Sequence, residues 1–204
     1  MSAIMLALGE KFAVLCGDTK FVMDSGIDGR ISKVNMVKDK FLMGFTGRND
    51  SAVEFFNNEI DLFLTPSDRL KKKNFSQVIE MLDKSFFIFE KEGVPEGFDM
   101  CAILCGPISG KLRCIKYQIR TREMERKVVF NPNNQVKLIE SFDLRHWGNY
   151  ELINSHLDFV ESIMNAFQNM LDKGIEFDES INNEMEAYFI NRGIIKPYIT
   201  QKIK

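Results

Sequence analysis

Apolar residues crowd the start of the chain: Ser2-Ala3-Ile4-Met5-Leu6-Ala7-Leu8, a Gly9-Glu10 turn, then an apolar run from Phe12 to Cys16. Two short apolar runs around a turn predict a β-hairpin. Apolar side chains fall on both of its faces, Ile4, Leu6 and Leu8 on one and Ala3, Met5 and Ala7 on the other. A strand with one wet face alternates apolar with polar. This hairpin therefore has to be covered on both sides, an unusual demand for antiparallel strands. Residues 30–34 and 41–45 read as further strands.

The period then changes. Ser51-Ala52-Val53-Glu54 is a Ser-x-x-Glu capping box, and Ala52, Phe55, Phe56, Ile60 and Phe63 follow at helical spacing. A second helix is predicted from about Asn74, with Phe75, Ile79, Leu82, Phe86 and Phe89 on one stripe, Gly93 as its stop and Pro95 beyond. The middle returns to strands at 100–105, 112–120, 127–130 and 136–141. Gly106-Pro107-Ile108-Ser109-Gly110 and Asn131-Pro132-Asn133-Asn134 are the turns between them. A third helix carries Ile153, Leu157, Val160, Met164, Phe167 and Leu171 and ends at Gly174. A fourth carries Ile181, Met185 and Phe189 and ends at Gly193. A short strand over 195–203 closes the chain.

Runs of strands thus alternate with pairs of helices, which excludes a doubly wound βαβ arrangement. With the two-sided burial of the hairpin, the pattern predicts an α+β fold. Two antiparallel sheets pack face to face, with a pair of helices on each outer surface, giving a four-layer αββα sandwich. No linker, repeat or low-complexity tract interrupts residues 1–204, so one domain is expected.

Composition narrows the function. A net charge of −2 over 204 residues offers no electrostatic footprint for nucleic acid or an anionic membrane. The Lys71-Lys72-Lys73 run follows a Thr-Pro-Ser-Asp turn and reads as a solvated loop. The four cysteines, Cys16, Cys101, Cys105 and Cys114, lie in apolar strand-like surroundings without Cys-x-x-Cys spacing. They read as buried free thiols, with no metal and no cofactor expected. The Gly106–Gly110 stretch lacks a spacer for a phosphate loop, and Leu112 stands where Ser or Thr would bind magnesium. The start has no basic leader and its apolar run is too short to span a bilayer, so the expected compartment is the cytoplasm.

Chemistry gathers at the hairpin. Its return strand ends on Gly17 and an acid, Asp18. Residue two is serine, and methionine aminopeptidases generally remove Met1 before so small a residue. Ser2 would then carry a free α-amine and a hydroxyl together. An α-amine titrates near pH ~8, so it can take the proton from its own residue's hydroxyl. Such a site needs a cation to keep the amine neutral, an anion to hold that cation, and an N–H for the oxyanion. Asp18, Lys33 in Arg30-Ile31-Ser32-Lys33-Val34, and Gly44 in Met43-Gly44-Phe45-Thr46-Gly47 are the candidates.

SAIMLALGEKFAVLCGDTK, RISKV and KFLMGFTGRNDSAVEFFNNE together resemble the first third of proteasome β subunits. The resemblance is closer still to the bacterial proteasome-like peptidase that works with an unfoldase ATPase. Both are N-terminal-nucleophile (Ntn) hydrolases. The resemblance implies the αββα sandwich, with Ser2 as nucleophile and base, Lys33 tuning it, Asp18 orienting Lys33, and Gly44 N–H as oxyanion donor. It implies cleavage of amide bonds, most plausibly peptides, inside a ring-like homo-oligomer, with an unfoldase ATPase as a partner.

The resemblance is strong over residues 2–64 and weak beyond. Where the family has a Gly-Ser-Gly-Gly turn, this chain has Arg145-His146-Trp147-Gly148-Asn149-Tyr150. His146 falls in place of the serine that contacts the nucleophile's amine, and is a candidate supporting group. Near the C-terminus the family carries an Asp followed by Ser-Gly. Asn191-Arg192-Gly193 has neither acid nor serine. Two classes of function are therefore expected: an Ntn hydrolase, or a catalytically inactive proteasome-like structural or interaction protein.

Overall fold

The structure is a computed structural model. It describes residues 3–22, 28–30, 32–37, 41–47, 75–121, 123–130, 136–141, 159–179, 181–191 and 194–198. Ser2, His146 and the predicted helix from Ser51 lie outside the described residues.

One five-stranded antiparallel sheet is built around the N-terminal hairpin. Strands β1 (Ile4–Leu8) and β2 (Phe12–Asp18) pair with Ile4 opposite Gly17 and Leu8 opposite Ala13. β10 (Lys137–Glu140), β11 (Met185–Asn191) and β12 (Ile194–Tyr198) complete it in the order β10-β1-β2-β11-β12. Pro197 sits in the edge strand β12, where its missing N–H costs least. The second sheet runs β5 (Val34–Val37), β6 (Phe41–Gly47), β7 (Asp99–Ile108), β8 (Lys111–Arg120) and β9 (Glu123–Phe130), in sequence order. A separate two-stranded ribbon joins β3 (Lys20–Val22) to β4 (Asp28–Arg30).

Three apolar clusters explain why the hairpin is greasy on both faces. Ile4, Leu6, Leu8 and Leu15 meet Ile103 and Cys105 between the two sheets. Met5, Ala7 and Val14, on the opposite face, pack with Ile163, Phe167 and Leu171 of α2 (Phe159–Phe177). Every residue of β1 is fully buried. On the far face of the second sheet, Phe41, Met43 and Tyr117 pack with Phe75, Val78 and Leu82 of α1 (Phe75–Glu92). A fully buried side chain of this kind contributes roughly 1.5–3 kcal/mol, so the two helices are held by their stripes. Helix α1 stops at Gly93, whose φ of 89° places it in the left-handed region, and Gly93 N–H closes the last turn on Phe89 O. Ser109 and Gly110, both at positive φ, form the two-residue turn of the β7–β8 hairpin. A strand–turn–strand there cannot offer the helix N-terminus that a phosphate loop needs.

Three sequence expectations are corrected. Residues 185–191 are strand β11, not a fourth helix. Met185 and Phe189 are four apart, a spacing that fits a helical stripe and equally one face of a strand. The alternation decides it, with Met185, Ala187 and Phe189 toward the α2 cluster and Tyr188 and Ile190 toward the space between the sheets. The third helix does not end at Gly174 but runs through it to Phe177. Residues 30–34 are not one strand: the ribbon ends at Arg30, β5 begins at Val34, and Lys33 lies between.

Candidate active site

The hairpin's open end carries the chemistry. The ladder continues past β1, with Asp18 N–H donating to Ala3 O at 3.1 Å. The Asp18 side chain then turns back on the same residue, Ala3 N–H donating to Asp18 Oδ1 at 2.7 Å. On the other side of β1, Ile4 N–H donates to Ser141 Oγ at 2.9 Å and Ser141 N–H donates to Ile4 O at 3.0 Å. The two residues that follow Ser2 are therefore fixed from both flanks.

Asp18 also holds Lys33, whose Nζ donates to Oδ2 at 2.6 Å. Its remaining acceptor position takes Lys20 N–H at 3.2 Å. Lys33 reaches across from the second sheet, where Phe45 N–H donates to Lys33 O at 2.9 Å and anchors its backbone. Asp18 is 0% exposed and Lys33 3%. Burial pushes the Asp18 carboxyl above its ordinary value, with the Lys33 charge and the hydrogen bonds opposing. Burial pushes Lys33 below its ordinary value, with Asp18 and then Asp178 opposing. Each group thus gives up its charge more readily than in water. A lysine in that state can both donate to and accept from a neighbouring amine or hydroxyl.

Of the residues singled out in the sequence, the structure brings Asp18 and Lys33 into direct contact. Gly44 is close by in the second sheet, opposite Val34 on one side and Ile103 on the other. Successive N–H groups of a strand point to alternate neighbours. Phe45 N–H points to Lys33, so Gly44 N–H is turned toward β7.

Reading residues from Ile181 to Gly193 as a helix hid the role of residues 178–184 and led the family's C-terminal acid to be sought at 191–193. With β11 starting at Met185, opposite Asp18, the described residues that lead into the site are Asp178, Glu179, Ile181, Asn182, Asn183 and Glu184. Asp178 raises the pKa of Lys33, and Asn182 and Glu184 bind Thr19. The signal available in the sequence was its polar run between two apolar stretches. Ser141 had none. The cysteines play no part: burial pushes Cys101 and Cys105 up to about 12, and burial with the Asp18 charge raises Cys16. Such thiols are inert.

No protein-family model matches the sequence, and no curated protein does. Solved structures do match in fold. The two antiparallel sheets and few helices are consistent with an Anbu-like, proteasome-like fold. The matching structures include Anbu from Hyphomicrobium sp. strain MC1, itself a bacterial proteasome-like Ntn-hydrolase family member. A Gly-1 mutant of Anbu matches with a TM-score of 0.59 and 10% identity, covering 100% of this chain and 90% of its own. Anbu itself matches with the same score and identity, covering 98% and 89%. At that identity the likeness is one of fold. Among the described residues, no helix is long and apolar enough to cross a membrane.

Proposed function

We propose that this chain is an Ntn hydrolase that cleaves amide bonds in peptides, on a single four-layer αββα domain. The observation that carries the reading is the buried Asp18–Lys33 pair hydrogen-bonded to the Ala3 amide, next in the chain to Ser2. With Met1 removed, the Ser2 α-amine takes the hydroxyl proton and the oxygen attacks the acyl carbon. Lys33, held by Asp18, tunes that amine and can exchange a proton with it. The tetrahedral intermediate collapses to an ester on Ser2, and the amine leaves with the proton. Water, activated by the same α-amine, releases the acid. His146 is a candidate to support the amine. Assembly into a ring-like homo-oligomer, an unfoldase ATPase partner and a cytoplasmic location belong to this reading through the family resemblance.

A second reading is a catalytically inactive proteasome-like scaffold. The orientation of Gly44 N–H toward β7 favours it, because an oxyanion donor must face the substrate.

The test is intact mass of untagged protein after incubation with a peptide epoxyketone, beside Ser2→Ala. That reagent closes its ring only on a hydroxyl and a free α-amine of one residue. The expected result is an adduct on the wild type alone, forming about 10²–10⁴ times more slowly in Lys33→Ala. Loss of Met1 with no adduct would turn the reading to the scaffold.

A further inference from the structure

The turn that carries Asp18 is held from a part of the chain far from the hairpin. Thr19 N–H donates to Asn182 Oδ1 at 3.1 Å, and Asn182 Nδ2 donates back to Thr19 Oγ1 at 3.0 Å. Thr19 Oγ1 donates to Glu184 Oε2 at 3.3 Å, and Arg30 meets that same oxygen at 2.8 Å. One residue on, Lys20 Nζ donates to Glu179 O at 2.6 Å. Thr19 is fully buried, and its amide and both sides of its hydroxyl are engaged. The turn that Asn182 clasps is also the one that sets the carboxylate, because Lys20 N–H donates to Asp18 Oδ2.

We propose that Asn182, assisted by Glu184, is a positioning residue of this site. By locking the Asp18-Thr19-Lys20 turn, it aims the Asp18 carboxylate at Lys33 and at the Ala3 amide. The charge on Glu184 is shared with Arg30 at the rim, while the two bonds from Asn182 act directly on the buried turn. Among the described residues, the titratable groups acting on Asp18 or acted on by it are Lys33 and Cys16. Asp178 acts on Lys33 from the end of α2, and Glu184 and Arg30 lie beyond Thr19. Loosening the clasp admits water to the pair and frees the carboxylate to rotate, so both its titration and its hold on Lys33 change.

The inference rests on the hydrolase reading for its kinetic arm only. Asn182→Leu removes both bonds at similar volume, and Thr19→Val removes the hydroxyl while keeping the shape and the amide bond. The carboxyl carbon of Asp18, followed by NMR in labelled protein and assigned with Asp18→Asn, reports the site without any turnover. Its midpoint is expected to shift by about half a pH unit or more in Asn182→Leu, in either direction, since the carboxylate gains water and loses its aim at Lys33 and Ala3. The double variant should move no further than Asn182→Leu alone, because the two residues act as one unit. An unchanged midpoint in the folded variants overturns the proposal. Should Asn182→Leu not fold, Thr19→Val carries the same test. In the kinetic arm, the limiting rate of epoxyketone adduct formation at saturating reagent should fall about tenfold, with the half-saturating concentration nearly constant. An unchanged limiting rate also overturns it. No adduct on wild type removes the hydrolase reading and leaves the carboxyl titration to decide the positioning role.

Discussion

Two carboxylate–cation pairs in this molecule have nearly the same contacts and opposite surroundings. Asp18 and Lys33 lie at the end of the hairpin with side chains 0% and 3% exposed. Asp83 of α1 and Arg126 of β9 lie on the outer face, with 38% and 34% exposed. Arg126 Nη2 donates to Asp83 Oδ2 at 3.0 Å, and the Tyr117 hydroxyl donates to Oδ1 at 2.7 Å. Arg126 also lies over the Tyr117 ring, 5.7 Å from its centre. Each carboxylate accepts three hydrogen bonds, but at the outer pair water shares the charge. Its effect is to raise the pKa of Arg126, chiefly through the Asp83 hydrogen bond, and so to reinforce the charged state. At the inner pair burial outweighs the contact and pulls both groups toward neutrality. A pair whose cation is held charged ties α1 to the sheet. One poised near the loss of its charges is suited to moving a proton.

The sharpest way to break that contrast is to remove one cation from each pair. Lys33→Met leaves a carboxylate buried without its counter-ion and should cost about 3–5 kcal/mol in urea unfolding. Adding Asp18→Asn should restore much of that loss, because the double variant buries no charge. An Asp18→Asn/Lys33→Met protein less stable than Lys33→Met alone would sink the idea that desolvation dominates here.

A smaller effect separates the pairs by pH. Asp18, raised by burial above its ordinary 3.8, binds its proton more tightly folded than unfolded. Its contribution to stability is full below 3.8 and is lost as pH rises through its folded value. Lys33, lowered from 10.5, binds its proton more weakly when folded, so stability is regained as pH climbs from its folded value to 10.5. Wild type measured against the Asp18→Asn/Lys33→Met variant should therefore lose ground above about pH 4 and recover toward about pH 10. Each unit between folded and unfolded values is worth about 1.4 kcal/mol. A flat difference across that range would contradict the directions given above.

How far the inner site was legible follows from sequence distance. Both-face burial of the hairpin shows in seven consecutive residues, Ser2 to Leu8, so the two sheets and their coverings could be inferred locally. Asp18 was marked by its place at the end of an apolar strand, and Lys33 by the site's need for a cation, with the family resemblance agreeing. The bonds between Thr19 and Asn182 join residues 163 positions apart, and no local pattern announces them. The assignment of 181–193 to a helix hid them further, because a four-residue spacing satisfies both periods. Ser141 contacts Ile4 from 137 positions away, and only strand order brings it there. The outer pair was missed for the same reason, although Tyr117 and Asp83 each stood in a correctly read element.

The smallest effect sharpens the comparison from the outer side. Arg126→Met removes a cation that water already screens, so it should cost about 0.2–1 kcal/mol and less in high salt. Part of even that loss is packing over the Tyr117 ring rather than charge. Tyr117→Phe distinguishes the two, because it removes the hydroxyl and keeps the buried ring. Losing that hydrogen bond should cost about 1 kcal/mol. If charge is the outer pair's main term, Arg126→Met should grow milder as salt rises from about 0.1 M to about 1 M, while Tyr117→Phe stays constant. A salt-insensitive Arg126→Met would instead assign its loss to packing. The outer pair would then be a mechanical tie whose charge contributes little, which would separate it still further from Asp18 and Lys33.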